Sequence, residues 1–335
     1  MKRIPEILNS IALLILAIGL FTASSRKASS PQEDDKDYRE AFSRHYKMFT
    51  VEIPDKLDFA GEPVPVLDFH VRESLDKELT INSYWHSNTI LMFKRAYRWK
   101  PIIDPILKQN GVPDDVFYIC MIESAMENVV SPAGAAGFWQ IMKSTGTSLG
   151  LEVNADVDER YNLEKATDAA CKLLKSAYSR YNSWTLAAAS YNMGPEGLNA
   201  QMTLQKTNSY YDLQLNKETQ RYVYRILAVK VIYQTPVKYG LYLRKKDFYP
   251  PLKTQRVVID STITNIADFC KQQGVSYRVF KELNPWILRN TLPNASGKKY
   301  EVLLPKDGVI DYPNLLIDEQ WNPTLFNDTL KIRDI

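Results

Sequence analysis

The amino-acid sequence predicts a mainly α-helical chain that ends in a small strand–helix–helix–strand (βααβ) unit. Three observations lead there. From Phe69 onward apolar residues return at helical spacing. Gly111, Pro113 and Pro236 stand where such helices should stop or start. Between Arg256 and Pro305 the pattern changes, and two strand-like apolar runs bracket two short helical faces.

The elements follow in chain order. Lys2 and Arg3 precede an unbroken apolar run, Ile11 to Phe21, and then the small residues Thr22, Ala23, Ser24 and Ser25. This is the layout of a secretory signal over residues 1–25. Counted from Ile4 to Ala23 the run is longer, which makes an uncleaved membrane anchor the alternative. Either way the bulk of the chain is expected to be exported, to the periplasm or cell envelope. Residues 26–68 read as a linker or N-terminal extension, Ser-, Pro- and acid-rich from Ala28 to Asp37.

Residues 69–245 read as one helical domain. Leu75 and Leu79 share a face, as do Ile90, Phe93, Ala96 and Tyr97. Pro101 to Asn110 reads as a separate short helix stopped by Gly111. Pro113 opens the next helix, with Asp114 and Asp115 in its first turn, where carboxylates suit the dipole. That helix runs through Phe117, Cys120 and Met121 to Glu123. Ala166, Ala170, Leu173 and Ala177 trace another, and Trp184 to Ser190 an Ala-rich one. Tyr222, Ile226, Val229 and Tyr233 trace a further helix, ended before Pro236. In residues 254–306, Val257 to Ile259 suggest a strand and Ile263, Ile266, Ala267 and Cys270 a helix face. Val279, Phe280 and Leu283 give a second face, and Tyr300 to Leu304 a closing strand. The tail, residues 307–335, shows no period.

Composition narrows the function. The 335 residues are 45% hydrophobic and 24% charged, as in an ordinary globular protein. A formal charge of +3 and the lack of a dense Lys/Arg stripe argue against nucleic acid as a partner. Cys120, Cys171 and Cys270 form no CxxC pair, so a thiolate zinc site is not expected. Each lies in an apolar, helix-like stretch and reads as a buried thiol, and the odd count leaves at least one unpaired.

The residues that suggest chemistry begin at Glu123. It lies late in an otherwise apolar helix, where burial and the negative end of the helix dipole both oppose ionisation. Protonation at neutral pH asks for a shift of roughly 2–3 pH units, or about 3–4 kcal/mol, which burial can supply. Such a group can donate a proton to a leaving oxygen. The run Ser131-Pro132-Ala133-Gly134-Ala135-Ala136-Gly137 follows. It lacks a phosphate-loop signature and reads as a tight turn, lined by Trp139 and Gln140, where backbone approaches something closely. Glu127, four residues from Glu123 on the same face, cannot flank a sugar from the other side and reads as solvated. Tyr191 and Asn192 end the Ala-rich helix, and Glu218 and Tyr222 lie at the start of a helix. Taken alone, all four are compatible with core, capping or first-turn roles.

Together these patches resemble the lytic transglycosylase domain of the soluble-lytic-type family. The elements are Glu123-Ser124, the Gly-Ala-x-Gly-x-x-Gln-Ile-Met block from Gly134 to Met142, Ser-Tyr-Asn-x-Gly from Ser190 to Gly194, and Glu-Thr-x-x-Tyr-Val from Glu218 to Val223. The upstream helices, including Asn110 to Asp115, look like the membrane-bound type D branch. The resemblance covers Phe69 to Tyr239 and implies an all-α, lysozyme-like domain. It puts the catalytic glutamate on Glu123 and substrate contacts on Ser131, Gln140, Met142, Tyr191, Asn192, Glu218 and Tyr222. It implies peptidoglycan glycan strands as substrate, with neither cofactor nor metal. Arg256 to Pro305 resembles a LysM glycan-binding module through Asp260-Ser261-Thr262-Ile263, Val275-Ser276 and Leu283-Asn284-Pro285.

The implied reaction uses one carboxylate. Glu123 protonates the oxygen between N-acetylmuramic acid and N-acetylglucosamine, then takes the proton of the muramyl C6 hydroxyl, which closes a 1,6-anhydro ring. Two alternatives stand beside it: a muramidase that hydrolyses the same bond, which needs a second carboxylate, and a non-catalytic peptidoglycan-binding protein.

Overall fold

The most deeply placed helix is the one read from Tyr222, Ile226, Val229 and Tyr233. In a computed structural model, which describes residues 36, 39–40, 48–244, 247–306 and 315, it spans Lys217–Gln234 and buries every residue from Tyr222 to Tyr233 except Arg225. A helix buried on nearly every side belongs at the centre of its domain, and its one buried cation, Lys230, is paired there. Asn216 caps it, accepting the N–H groups of Glu218 and Thr219 at 3.0 Å each. The signal or anchor at 1–25 lies outside the described residues, as does the tail 307–335 apart from Leu315. Residues 1–50 and 51–335 are separate units, and every contact below is within the second.

Around that helix the order is β1 (Asp58–Phe59), β2 (Glu62–Pro63), α1 (Phe69–Tyr84), α2 (His86–Gln109), α3 (Phe117–Ser124), α4 (Lys143–Ser148), α5 (Leu163–Tyr181), α6 (Trp184–Met193) and α7 (Pro195–Gln205), with the central helix as α8. Val71, Leu75 and Leu79 form the buried stripe of α1, which packs on α8. The βααβ unit is β3 (Thr254–Ile259), α9 (Ile266–Gln272), α10 (Tyr277–Leu283) and β4 (Tyr300–Pro305), with β3 and β4 antiparallel. The chain is therefore mainly helical with a small terminal sheet, as expected.

Three local expectations are corrected. Pro101 and Pro105 do not start a new helix but lie inside the continuous α2. Both are exposed, while Phe93, Ala96, Ile103 and Leu107 are buried on the other side. The carbonyls that lose their partners can therefore bond to water, and burial carries the helix through. Ile263 does not belong to α9. It exchanges backbone hydrogen bonds with Leu292, and Asn265 starts the helix by accepting from Ala267 and Asp268. From Val51 on, the stretch read as an extension is part of the core. Phe59 is fully buried, and the Glu62 carboxylate accepts from the Trp184 and Thr185 N–H groups and from Ser183 Oγ at 2.8 Å, capping α6. Lys230 of α8 donates to the Asp58 carbonyl at 2.8 Å and to Asp115 Oδ2 at 2.7 Å, so Asp115 serves an ion pair as well as a helix start.

All three cysteines are free and buried, as expected. Among the described residues no helix is long and apolar enough to cross a membrane.

Candidate active site

Helix α3 ends abruptly just past Glu123. Ala125 and Met126 both take left-handed backbone conformations, with φ of 50° and 63°, and Ala125 N–H closes the helix on the Met121 carbonyl. The reversal leaves the glutamate on the last turn, part of its side chain open to solvent, with Met126 buried beneath. Tyr222 of α8 donates its hydroxyl to Glu123 Oε1 at 2.5 Å. Burial pushes the Glu123 carboxyl up to about 7. The Tyr222 hydroxyl and the nearby Arg225 guanidinium pull the other way, and Glu218 adds to the rise. The direction expected from the sequence holds, with burial as its main cause.

Residues 129–142 fold into a small ladder with Ala136 at its middle. Ala136 bridges Val130 on one side and Ile141 on the other. Ser131 N–H donates to the Ala135 carbonyl at 2.8 Å, and Ser131 Oγ accepts from Ala135 N–H at 3.1 Å. Gln140, at φ 47°, donates its amide to the carbonyls of Val129 at 2.9 Å and Gly137 at 2.7 Å. The amides of this loop are thus occupied in shaping it. Met142 differs, with 43% of its surface exposed at the start of α4.

Trp139 does not line the loop, as the sequence suggests; it is fully buried. Its indole N–H donates to Thr167 Oγ1 at 2.8 Å, and its carbonyl accepts the Tyr191 hydroxyl at 2.6 Å. A large ring whose one donor is satisfied by the core is an anchor. Asn192 accepts from Thr219 Oγ1 at 2.8 Å, and its amide donates to Glu218 Oε1 at 3.4 Å. Tyr222 thus bonds Glu123 directly, Asn192 bonds Glu218 and Thr219, and Tyr191 bonds the loop at Trp139, while Glu218 and Tyr191 lie near enough to Glu123 to interact with its charge. Glu127 is paired with Arg95.

Losing the Tyr222 hydroxyl removes a contact that favours the ionised carboxylate. A Tyr222→Phe variant is expected to raise the Glu123 pKa further and move the alkaline limb of the pH–rate profile up by about one pH unit. An unmoved or lowered limb refutes this.

Two groups escaped sequence reading. Arg160 is buried behind the loop, where its Nη1 donates to the carbonyls of Gly134 at 2.9 Å and Ile141 at 3.0 Å. Asp158 holds the other edge of that guanidinium, accepting Nη2 at 2.7 Å. The two groups pair with each other, but the loop carbonyls they serve lie 19 and 26 residues before Arg160, and nothing local marks that contact. A partly open pocket of about 420 Å³ is lined by Trp99, Phe138, Tyr161, Leu283, Trp286 and Leu303 among others. Glu123 is not among the residues that line it.

Comparison with known proteins agrees with this architecture. Residues 100–214 match the family model described as the Transglycosylase SLT domain, and residues 255–308 match the soluble lytic transglycosylase C-terminal LysM-like domain. The chain carries both domains. It is homologous to membrane-bound lytic murein transglycosylase D of Escherichia coli strain K12, 29% identical over 242 residues, which are 70% of this chain and 52% of that protein. The same figures hold for the protein of that name from Escherichia coli O6:H1. The chain thus spans about half the length of the curated relatives it matches. Among solved structures it is similar to the 70 kDa soluble lytic transglycosylase of Escherichia coli, at 21% identity, 45% of this chain, 26% of that one and TM-score 0.37. It is also similar to an inactive mutant of the lytic transglycosylase Slt from Pseudomonas aeruginosa, at 24% identity, 42% of this chain, 24% of that one and TM-score 0.35.

Proposed function

Starting from a chain that carries a transglycosylase SLT domain, we propose that this protein is a lytic transglycosylase of peptidoglycan, with Glu123 as acid and then base. The observation that carries the reading is the carboxyl of Glu123, raised to about 7 by burial and held at 2.5 Å by Tyr222. At neutral pH a large fraction of such a group is protonated and able to donate.

In the first step Glu123 protonates the glycosidic oxygen between N-acetylmuramic acid and N-acetylglucosamine, and the C1–O bond breaks. The substrate's own acetamido group supports the cationic centre. In the second step ionised Glu123 takes the proton from the muramyl C6 hydroxyl as that oxygen bonds to C1, which gives a 1,6-anhydro end. Because the attack is intramolecular, the protein's main task is to hold geometry. A hydrolase would need another carboxylate to activate water. Glu127 is tied to Arg95, which supports the single-carboxylate reading.

Exposed Met142 and Glu218, with half-buried Asn192, are proposed to touch the glycan directly. Ser131, Gln140, Tyr191 and Tyr222 support it through the loop and through Glu123. The LysM-like domain is proposed to hold peptidoglycan strands, and the working place is the cell envelope, reached by export through the N-terminal segment. Purified peptidoglycan treated with the protein should release muropeptides one water lighter than hydrolytic products by mass spectrometry. Fully hydrated ends would show a muramidase, and binding without release would show a non-catalytic protein.

A further inference from the structure

The loop that follows Glu123 is held by one cation, and the turn carrying that cation is held by the LysM-like domain. We infer that Arg160 is a positioning residue for the Gly134 to Met142 loop, and that the LysM-like domain completes the catalytic domain by fixing the backbone from Ala155 to Asp158. This rests on the reading of Glu123 as acid and base.

The inner grip is geometric. The Arg160 guanidinium forks onto Asp158, with Nε at 3.0 Å from Oδ1 and Nη2 at 2.7 Å from Oδ2. Both residues are buried, so the pair is fixed and little screened. Nη1 is then aimed at the Gly134 and Ile141 carbonyls, at opposite ends of the ladder. Between them the Arg160 backbone itself lies against Gly137, so close that a Cβ there would stand 2.0 Å from the Arg160 carbonyl oxygen. Arg160 thus touches the loop at 134, 137 and 141, and the loop cannot shift without breaking these contacts.

The outer grip comes from the module. Asp158 N–H donates to the Trp286 carbonyl at 2.9 Å, Leu288 N–H donates to the Asp156 carbonyl at 2.8 Å, and Val157 and Ile287 form the bridge between them. Arg289 Nε donates to the Ala155 carbonyl at 3.1 Å. Val157, only 1% exposed, packs in the core of the LysM-like domain with Ile266, Phe280 and Ile287. Lys298 and Tyr300 both bind Glu152 on the same turn. A glycan-holding module needs only a tether. Backbone pairing together with a shared core transmits position, from residues 286–288 through Asp158 and Arg160 to the carbonyls of the loop.

The test uses the full-length protein on purified peptidoglycan. Arg160→Ala is expected to lower kcat by on the order of 10²-fold, the scale of an ångström of misplacement, with KM nearly unchanged. Added guanidinium at non-denaturing concentration should restore part of that loss, and Arg160→Lys should fall between, which also covers the case that the alanine variant fails to fold. Leu288→Pro removes the N–H that binds Asp156, and should lower kcat while leaving sedimentation with insoluble peptidoglycan unchanged. Wild-type kcat in Arg160→Ala, or a Leu288→Pro variant that loses only binding, overturns the inference. A Glu123→Gln variant with full turnover would instead overturn the acid–base reading, so the two failures are distinguishable.

Discussion

Glu123→Gln is expected to lose about 10²–10⁴-fold in turnover on peptidoglycan, the range removed when a general acid–base group is deleted. Glutamine has nearly the shape of the acid, and its carbonyl can still accept the Tyr222 hydroxyl, so the fold and glycan binding should survive. What it cannot do is give a proton and take one back. The same substitution should stabilise the protein at alkaline pH. The folded carboxyl is pushed up to about 7 from its ordinary 4.5, so between those values the folded state holds more protons than the unfolded one. Stability contributed by the protonated group is therefore full below about 4.5 and is lost as pH rises to about 7. Above that, the ionised carboxylate costs the fold on the order of 3 kcal/mol. Melting the two proteins at pH 8 and at pH 4 checks this. The glutamine variant should melt higher at pH 8, and its advantage should vanish at pH 4. An equal difference at both values would show that the carboxyl is not the group under strain.

The parts of this molecule that were legible in the sequence are those with a local cause. Leu75 and Leu79 repeat at the helical period and bury as read, and the late position of Glu123 in an apolar helix was enough to expect a raised pKa. The βααβ order of the LysM-like unit followed from the change in pattern after Arg256. What stayed hidden depends on distant partners. Glu62 looked like a linker residue because its role is to cap α6, more than a hundred residues away. Pro101 looked like a boundary because nothing local says that the far face of the helix is buried and its own face wet. Trp139 reads from its position as lining the turn, but Thr167 and Tyr191 occupy its polar groups and hold it in the core. The small residues from Ala133 to Gly137 did signal a close approach, and the signal was right. They did not say what approaches, because Arg160 arrives from a turn that the LysM-like domain holds.

Gly137→Ala tests that approach directly, and should be the most disruptive single methyl group in the loop. Gly134 and Gly137 have nearly the same φ, 86° and 80°. Either alanine would therefore bear the left-handed strain of about 1–2 kcal/mol. They differ in what the methyl meets. At Gly134 nothing lies within 4 Å, whereas at Gly137 the Arg160 carbonyl oxygen lies at 2.0 Å and its carbon at 2.9 Å. Those are backbone atoms and cannot rotate aside. Either the ladder lifts off Arg160, breaking the contacts to Gly134 and Ile141, or the turn from Glu152 to Arg160 is pushed against Trp286 and Leu288. Both routes damage the geometry around Glu123. Gly137→Ala is expected to cost on the order of 3–5 kcal/mol in urea unfolding and to depress kcat even at temperatures where the protein is folded, while Gly134→Ala costs only the strain. The difference between the two variants isolates the contact from the backbone preference they share. If they cost the same, the loop tolerates displacement and the backing by Arg160 is not what holds it. A much larger loss at Gly137 would mean that the shape of the loop is set by the Arg160 backbone behind it.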